Sequence, residues 1–263
     1  MTDNALQPLL DSLDKRKALL DAHRPFDPLL LERFREYMAT EWTYHSNAIE
    51  GNTLNKQETH LVLNEGITLG GKSMREHLEV TNHGSAMKYV ERLASSQADF
   101  TEDTLRQLHG IVLRGIDDEW AGRYRCEDVF ISGSDHEPPR WAEVRRRMQE
   151  LEQWLTALDS QVLHPVVRAA RVHFRVVNIH PFRDGNGRTA RLAMNLLLMR
   201  RGYPVAVVRV EDRKEYFNAL ETGHLQGDLV PFTHFIAAQV SRSMDLYLRA
   251  LARGEGLSGE APR

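Results

Sequence analysis

A mainly α-helical fold is what this sequence predicts, and three observations carry the prediction. Apolar residues recur at three- and four-residue steps along most of the chain, the spacing of a helix with one buried face. Only one short run, Val129-Phe130-Ile131, has strand character, and turn residues bound it on both sides. Strand-like and helical patterns do not alternate anywhere, which excludes a parallel α/β sheet. The expected architecture is a helical bundle with one small β-hairpin.

Taken in order, Met1 to about Ala39 has helical periodicity through Leu9, Leu10, Leu13, Leu19 and Leu20. Its apolar stripe requires a partner, either the core or a second copy of the chain in a homodimer. A further helix reaches residues 43–50 and stops at Gly51. Asn55 to Asn64 also reads as a helix. The run Gly66 to Ser73 satisfies the phosphate-loop expression G-x-x-x-x-G-K-S. A true phosphate loop follows a buried strand, so a helix in front of this one makes the match accidental. Residues 127–139 supply the hairpin. Arg145, Arg146 and Arg147 suit a solvated helix face. From His164 to Val177, Pro165 takes the first helical position and His164 the cap, while Val166, Ala170, Phe174 and Val177 share a face and His173 packs inside. The next helix begins near Gly187 and is apolar on several sides through Leu192, Ala193, Leu196, Leu197 and Met199, which places it at the centre of the core. Arg213 to Leu220 is an amphipathic helix, and Gly227 to Phe232 opens the last one.

Composition narrows the function classes. At 263 residues the chain can bury one large core or two small ones. A charged fraction of 27% with a net charge of −3 provides no general basic field for nucleic acid. No apolar stretch approaches the ~20 residues of a membrane span, and no signal-peptide pattern opens the chain. Cys126 is the single cysteine, which excludes an intrachain disulfide and fits a reducing, cytoplasmic setting.

The chemistry is concentrated in His180-Pro181-Phe182-Arg183-Asp184-Gly185-Asn186-Gly187-Arg188-Thr189-Ala190-Arg191. A tight loop between two helices aims the free N–H groups of the second helix at an anion. Gly185 and Gly187 allow phosphate oxygens to approach the backbone. Arg188 and Arg191, three apart, can fork onto separate phosphates. Asp184 is a hard oxygen ligand suited to Mg²⁺ (or Mn²⁺) shared with a polyphosphate. His180, at the end of its helix, can accept a proton near neutral pH, and the helix C-terminus favours the resulting imidazolium. The set fits phosphoryl or nucleotidyl transfer with one general base and no covalent intermediate.

This segment resembles the Fic signature His-x-Phe-x-Asp/Glu-Gly-Asn-Gly-Arg-x-x-Arg, and the resemblance runs from about Ser46 to about Phe235. It implies transfer of AMP from ATP to a Ser, Thr or Tyr hydroxyl of a target protein, with release of pyrophosphate. Family members that phosphorylate instead depart from Gly-Asn-Gly-Arg, which is intact here. The resemblance further implies that Asn186 and nearby amides hold the α-phosphate, and that Arg188 and Arg191 hold the β- and γ-phosphates. It makes the hairpin a flap over the site that binds the target's modified segment by strand addition, with Gly133 and Ser134 against the nucleotide. Tyr216 and Phe217 fall beside the adenine. Phe217 stands where relatives often carry Tyr, and His224 falls near a position often occupied by Asn. Ser46-Asn47-Ala48-Ile49-Glu50-Gly51 is similar to the family's inhibitory helix, whose glutamate pairs with the second signature arginine, here Glu50 with Arg191. The implied organisation is an N-terminal helical region over 1–95, a Fic core over 96–252 and a disordered tail over 253–263. Two alternatives stand beside AMP transfer: removal of AMP from modified proteins using Glu50, and a nucleotide-sensing regulator with little turnover.

Overall fold

The computed structural model of the chain describes residues 6–96 and 99–258. Among them lie eleven α-helices: α1 (Gln7–Ala22), α2 (Pro28–Ala48), α3 (Lys56–His60), α4 (Met74–Ala94), α5 (Glu102–Val112), α6 (Trp141–Thr156), α7 (Leu158–Gln161), α8 (Pro165–Ile179), α9 (Asn186–Arg200), α10 (Arg213–Gln226) and α11 (Val230–Ser258). A π-helical turn, Leu61–Glu65, extends α3.

α9 is the axis of the bundle, with α8, α4, α5 and α2 packed around it. Leu192, Ala193, Met194, Leu196 and Leu198 are all buried on it, so it is apolar around its circumference as its sequence requires. Asn195 is the polar exception. Its carboxamide bonds both the N–H and the C=O of Ala206, stitching the following segment to the axis. The N-terminal arm folds onto its own chain: α1 packs along α11 and buries Leu10, Leu13 and Leu20. At α8, Pro165 occupies the first turn and His164 Nδ1 accepts from the Val166 N–H, as its position predicts. His173 is buried in the core, bonded to the Tyr216 hydroxyl at 2.9 Å. Arg145, Arg146 and Arg147 lie on the solvated face of α6.

Gly66, at φ 67°, ends the π-helical turn, and Ser73 caps α4 in a capping box with Glu76. The G-x-x-x-x-G-K-S run is thus a connector between helices, its Lys72 bonded to the Thr53 carbonyl at 2.7 Å.

Two expectations are corrected. The hairpin over 127–139 is absent: no strand occurs among the described residues, and this segment is a loop. Pro138 and Pro139 remove two N–H donors from the return arm, so a ladder cannot form there. Arg125 takes over the role of pairing, donating to the Glu127 and Pro139 carbonyls at the two bases of the loop. The tail expected over 253–263 begins as helix, because α11 runs to Ser258. Gly254 and Gly256 each cost a helix only ~1 kcal/mol and do not break it as proline would. Residues 259–263 lie outside the described residues. No helix among the described residues is long and apolar enough to cross a membrane.

Candidate active site

α8 ends and α9 begins at one point, and the loop between them builds the site. His180 caps α8 in the left-handed region (φ 49°, ψ 59°), the only non-glycine residue among those described with positive φ. Such a conformation costs on the order of 1 kcal/mol and persists only where the surroundings impose it. Here Arg125 imposes it. This buried residue donates from Nε to the His180 carbonyl at 2.8 Å and from its backbone N–H to the Pro181 carbonyl at 3.0 Å.

Phe182 is fully buried and stacks on His109, with centroids 3.7 Å apart and planes 4° from parallel. His109 accepts from the Gly122 N–H at Nδ1 and donates from Nε2 to the Asp184 carbonyl, both at 2.9 Å. Burial pushes its pKa down to about 4, which suits this neutral tautomer. Asn186 closes the loop on itself, its Oδ1 accepting from the Phe182 N–H at 2.9 Å and its Nδ2 donating to the Phe182 carbonyl at 2.8 Å. The buried carboxamide clamps the Phe182 backbone with one of its two Nδ2–H donors, and the Asn186 backbone N–H lies at the start of α9.

Glu50 sits at that same helix start. A Cβ placed on Gly187 would lie 2.3 Å from Glu50 Oε1, so glycine is needed for the carboxylate to approach. Arg191 is 2% exposed. Its Nη2 donates to Glu50 Oε1 at 2.7 Å and to the Ser46 carbonyl at 2.8 Å, and its Nε to Ser46 Oγ at 3.1 Å. Burial disfavours the guanidinium charge, but Glu50 beside it more than compensates and raises the pKa further.

Arg188 points elsewhere. Its Nη2 donates to Asp184 Oδ1 at 3.2 Å and its Nη1 faces Glu79 Oε1 at 3.3 Å. Arg75 bridges the same two carboxylates, bonding Asp184 Oδ2 at 2.6 Å and Glu79 at 3.3 Å. Burial would raise the Asp184 pKa, but Arg188, the Gly185 N–H and Arg75 together hold it below the ordinary value. It is therefore a committed anion with a half-exposed side chain. One hard oxygen ligand of this kind fits a divalent cation whose other positions are filled by phosphate and water. Among the described residues no group of three or more His, Cys, Asp or Glu side chains gathers to form a larger cage.

The loop 127–139 is tied to α8 and α10. Ser134 Oγ donates to Glu221 Oε2 at 2.6 Å, and the Asp135 N–H donates to Glu221 Oε1 at 2.8 Å. His136 bonds the Asn178 carbonyl through Nε2 at 2.9 Å and stacks on His224 at 4.0 Å. His224 bonds the Asn178 side chain through Nδ1, also at 2.9 Å. Gly133 (φ 79°) has open space around it. Of the two expected adenine neighbours, Tyr216 is buried with its hydroxyl on His173. Phe217 remains exposed, its ring under the Arg213 guanidinium at 4.7 Å. Arg125, His109, Arg75 and Glu79 had no signal in the sequence, because each acts across 40 residues or more or through backbone atoms.

His180 is pushed down to about 4 by burial, with Arg125 and His136 acting in the same direction and Val177 and Glu50 opposing. Burial thus outweighs the helix C-terminus that was expected to favour the imidazolium. The ring is neutral at pH 7, ready to accept a proton. The acid limb of kcat/KM should therefore lie near pH 4, not near ~6.5. A pH–rate profile of the Glu50→Gly chain checks this, and a midpoint at the ordinary histidine value would contradict it.

Fold and loop together define a Fic domain, and comparison with known proteins agrees. Residues 99–198 match the Fic/DOC family. The chain is 39% identical over 243 residues to the protein adenylyltransferase Fic of Nematostella vectensis, covering 92% of this chain and 56% of that protein. For the Drosophila melanogaster protein of the same name the identity is 39% over 242 residues, with coverage of 92% and 48%. Fic-1 (residues 134–508) from C. elegans superposes with a TM-score of 0.86 at 32% identity, covering 94% of this chain and 73% of that one. A Fic domain containing signaling protein from Bacteroides thetaiotaomicron gives 0.83 at 30% identity, with coverage of 94% and 97%. The chain belongs to the Fic family. It spans about half the length of the curated relatives it matches.

Proposed function

We propose that this protein transfers AMP from ATP to a hydroxyl side chain of a target protein, and that Glu50 restrains the transfer. The observation that carries the reading is the Glu50 carboxylate bonded to Arg191 at 2.7 Å, at the anion-binding start of α9 beside the His180 loop. A carboxylate there occupies the place where a phosphate is wanted, and it neutralises the guanidinium that would orient it. With Glu50 withdrawn, the first N–H groups of α9 and Arg191 face the triphosphate. The neutral His180 imidazole takes the proton of the incoming hydroxyl. The hydroxyl oxygen then bonds the α-phosphorus, the bond to the β-phosphate bridging oxygen breaks, and pyrophosphate leaves. Asp184 would hold Mg²⁺ or Mn²⁺, which supplies charge neutralisation on the phosphates.

The test is a Glu50→Gly chain incubated with ATP labelled in either the α- or the γ-phosphate. Protein-bound label from the α-position alone, with pyrophosphate release, is expected. Label from the γ-position would mean phosphorylation, and none from either would leave a nucleotide-binding regulator. AMP removal is favoured by one feature: Glu50 bonds Arg191 through Oε1 only and its side chain is 35% exposed, which leaves Oε2 to orient a water. AMP release from a pre-modified target by the parent chain, lost in Glu50→Gly, would support it.

Asp184→Ala should abolish dependence on the divalent cation along with activity in the Glu50→Gly background. Calorimetry of Mg²⁺–ATP binding checks the assignment, and unchanged metal-dependent affinity would remove Asp184 from this role.

A further inference from the structure

Beside the loop 127–139, on the side of α6, lies a groove of about 390 Å³ that the chemistry above does not use. Its floor is apolar and aromatic, from Tyr124, Val144 and Trp141, the last 48% exposed. Its rim carries Arg106, Arg123 and Arg145, all exposed; Glu102 is the one carboxylate in the lining, and Arg106 is paired with Asp103 at 3.4 Å beside it. The surplus of positive charge is local, since the chain as a whole carries −3.

The arginines of the 145–147 run are not equivalent. Arg146 pairs with Glu143 and Glu150, and Arg147 with Glu150. Arg145, which faces the groove, and Arg123 opposite it make no ion pair among the described residues. Two unpaired guanidiniums in the lining shared with the exposed Trp141 ring form a surface whose complement is anionic with apolar side chains. The groove also adjoins the reaction centre. Its wall includes Arg125, the residue that holds the His180 and Pro181 carbonyls, and Cys126 and Trp141 flank the loop at its two ends.

We infer that this groove docks an acidic stretch of the target protein, seating an apolar or aromatic side chain against Trp141 and carboxylates on Arg123 and Arg145. The inference rests on the reading of the chain as a protein-modifying enzyme and adds the character of the partner. Docking at the loop's base places the target's hydroxyl-bearing segment next to the His180 loop without reading that segment's own sequence.

The test uses the full chain and two fluorescein-labelled 12-residue peptides, one rich in Glu and Asp around a single Leu and Ser, the other with Lys at the acidic positions. Fluorescence anisotropy without ATP should show saturable binding of the acidic peptide alone, weakened by added NaCl. Arg123→Glu with Arg145→Glu should reduce that affinity by about tenfold or more, and Trp141→Ala should reduce it separately. Both arginines are exposed, and the circular dichroism melt of the variant should match the parent. Equal affinity for the reversed variant, or binding of the Lys peptide, would overturn the proposal. So would tighter binding of a single-stranded oligonucleotide, which would make the groove a nucleic-acid surface. Label transfer from α-labelled ATP by Glu50→Gly is measured alongside. Label without any charge preference removes the groove alone, and discrimination between peptides without label removes the enzymatic reading alone.

Discussion

His180→Ala, introduced into a Glu50→Gly chain, is expected to reduce AMP transfer by about 10²–10⁴-fold, the usual worth of a positioned general base. ATP affinity should stay near that of the parent, because the α9 amides, Arg191 and Asp184 remain. Alanine at φ 49° adds backbone strain, since only glycine and to a lesser degree asparagine occupy that region easily. His180→Asn is therefore the companion variant: it keeps the left-handed cap and removes the base. Equal losses in the two variants assign the effect to proton transfer. A fully active Asn variant would mean that the conformation of residue 180, held by Arg125, is what the reaction needs.

Glu50→Gly should raise label incorporation about a hundredfold if the paired state of Arg191 outweighs the free one by ~2.7 kcal/mol. Losing the carboxylate leaves a buried guanidinium with no anionic partner, held by Ser46 and beside the Tyr216 hydroxyl. Breaking a buried pair by removing one partner is destabilising by about 3–5 kcal/mol, and less where one partner is partly exposed, as Glu50 is. The apo variant should consequently melt below the parent, and ATP should raise its melting temperature by more than it raises the parent's, since phosphate replaces the missing anion. Arg191→Ala in the same background should cancel the gain in transfer. Activation that survives the loss of Arg191 would show that Glu50 acts through another group.

The sequence was most legible where function depends on local order. His180 through Arg191 sits where the pattern put it, between α8 and α9, and Ser46 to Gly51 meets Arg191 across 145 residues as the second motif implied. Helix starts were readable because their signals are local: Pro165 with His164 at α8, Ser73 with Glu76 at α4. Val129-Phe130-Ile131 misled, because a strand is made by its partner arm, and Pro138-Pro139 cannot donate to it.

Local spacing thus settled the helical class, the loop that carries His180 and the pairing of the two motifs, since each depends on residues within a few turns or on matched chemistry. The division of labour among those residues was settled by packing. The side chains of Asn186 and Tyr216 bond Phe182 and His173, contacts that no spacing announces, because a buried polar group must be satisfied by whatever the fold brings beside it. Arg188 and Arg191, three apart on α9, turn to different acids because α4 supplies Glu79 on one side and the end of α2 leads into Glu50 on the other. Arg125 became the brace of the His180 loop through backbone carbonyls, which every residue carries and no side-chain pattern can announce.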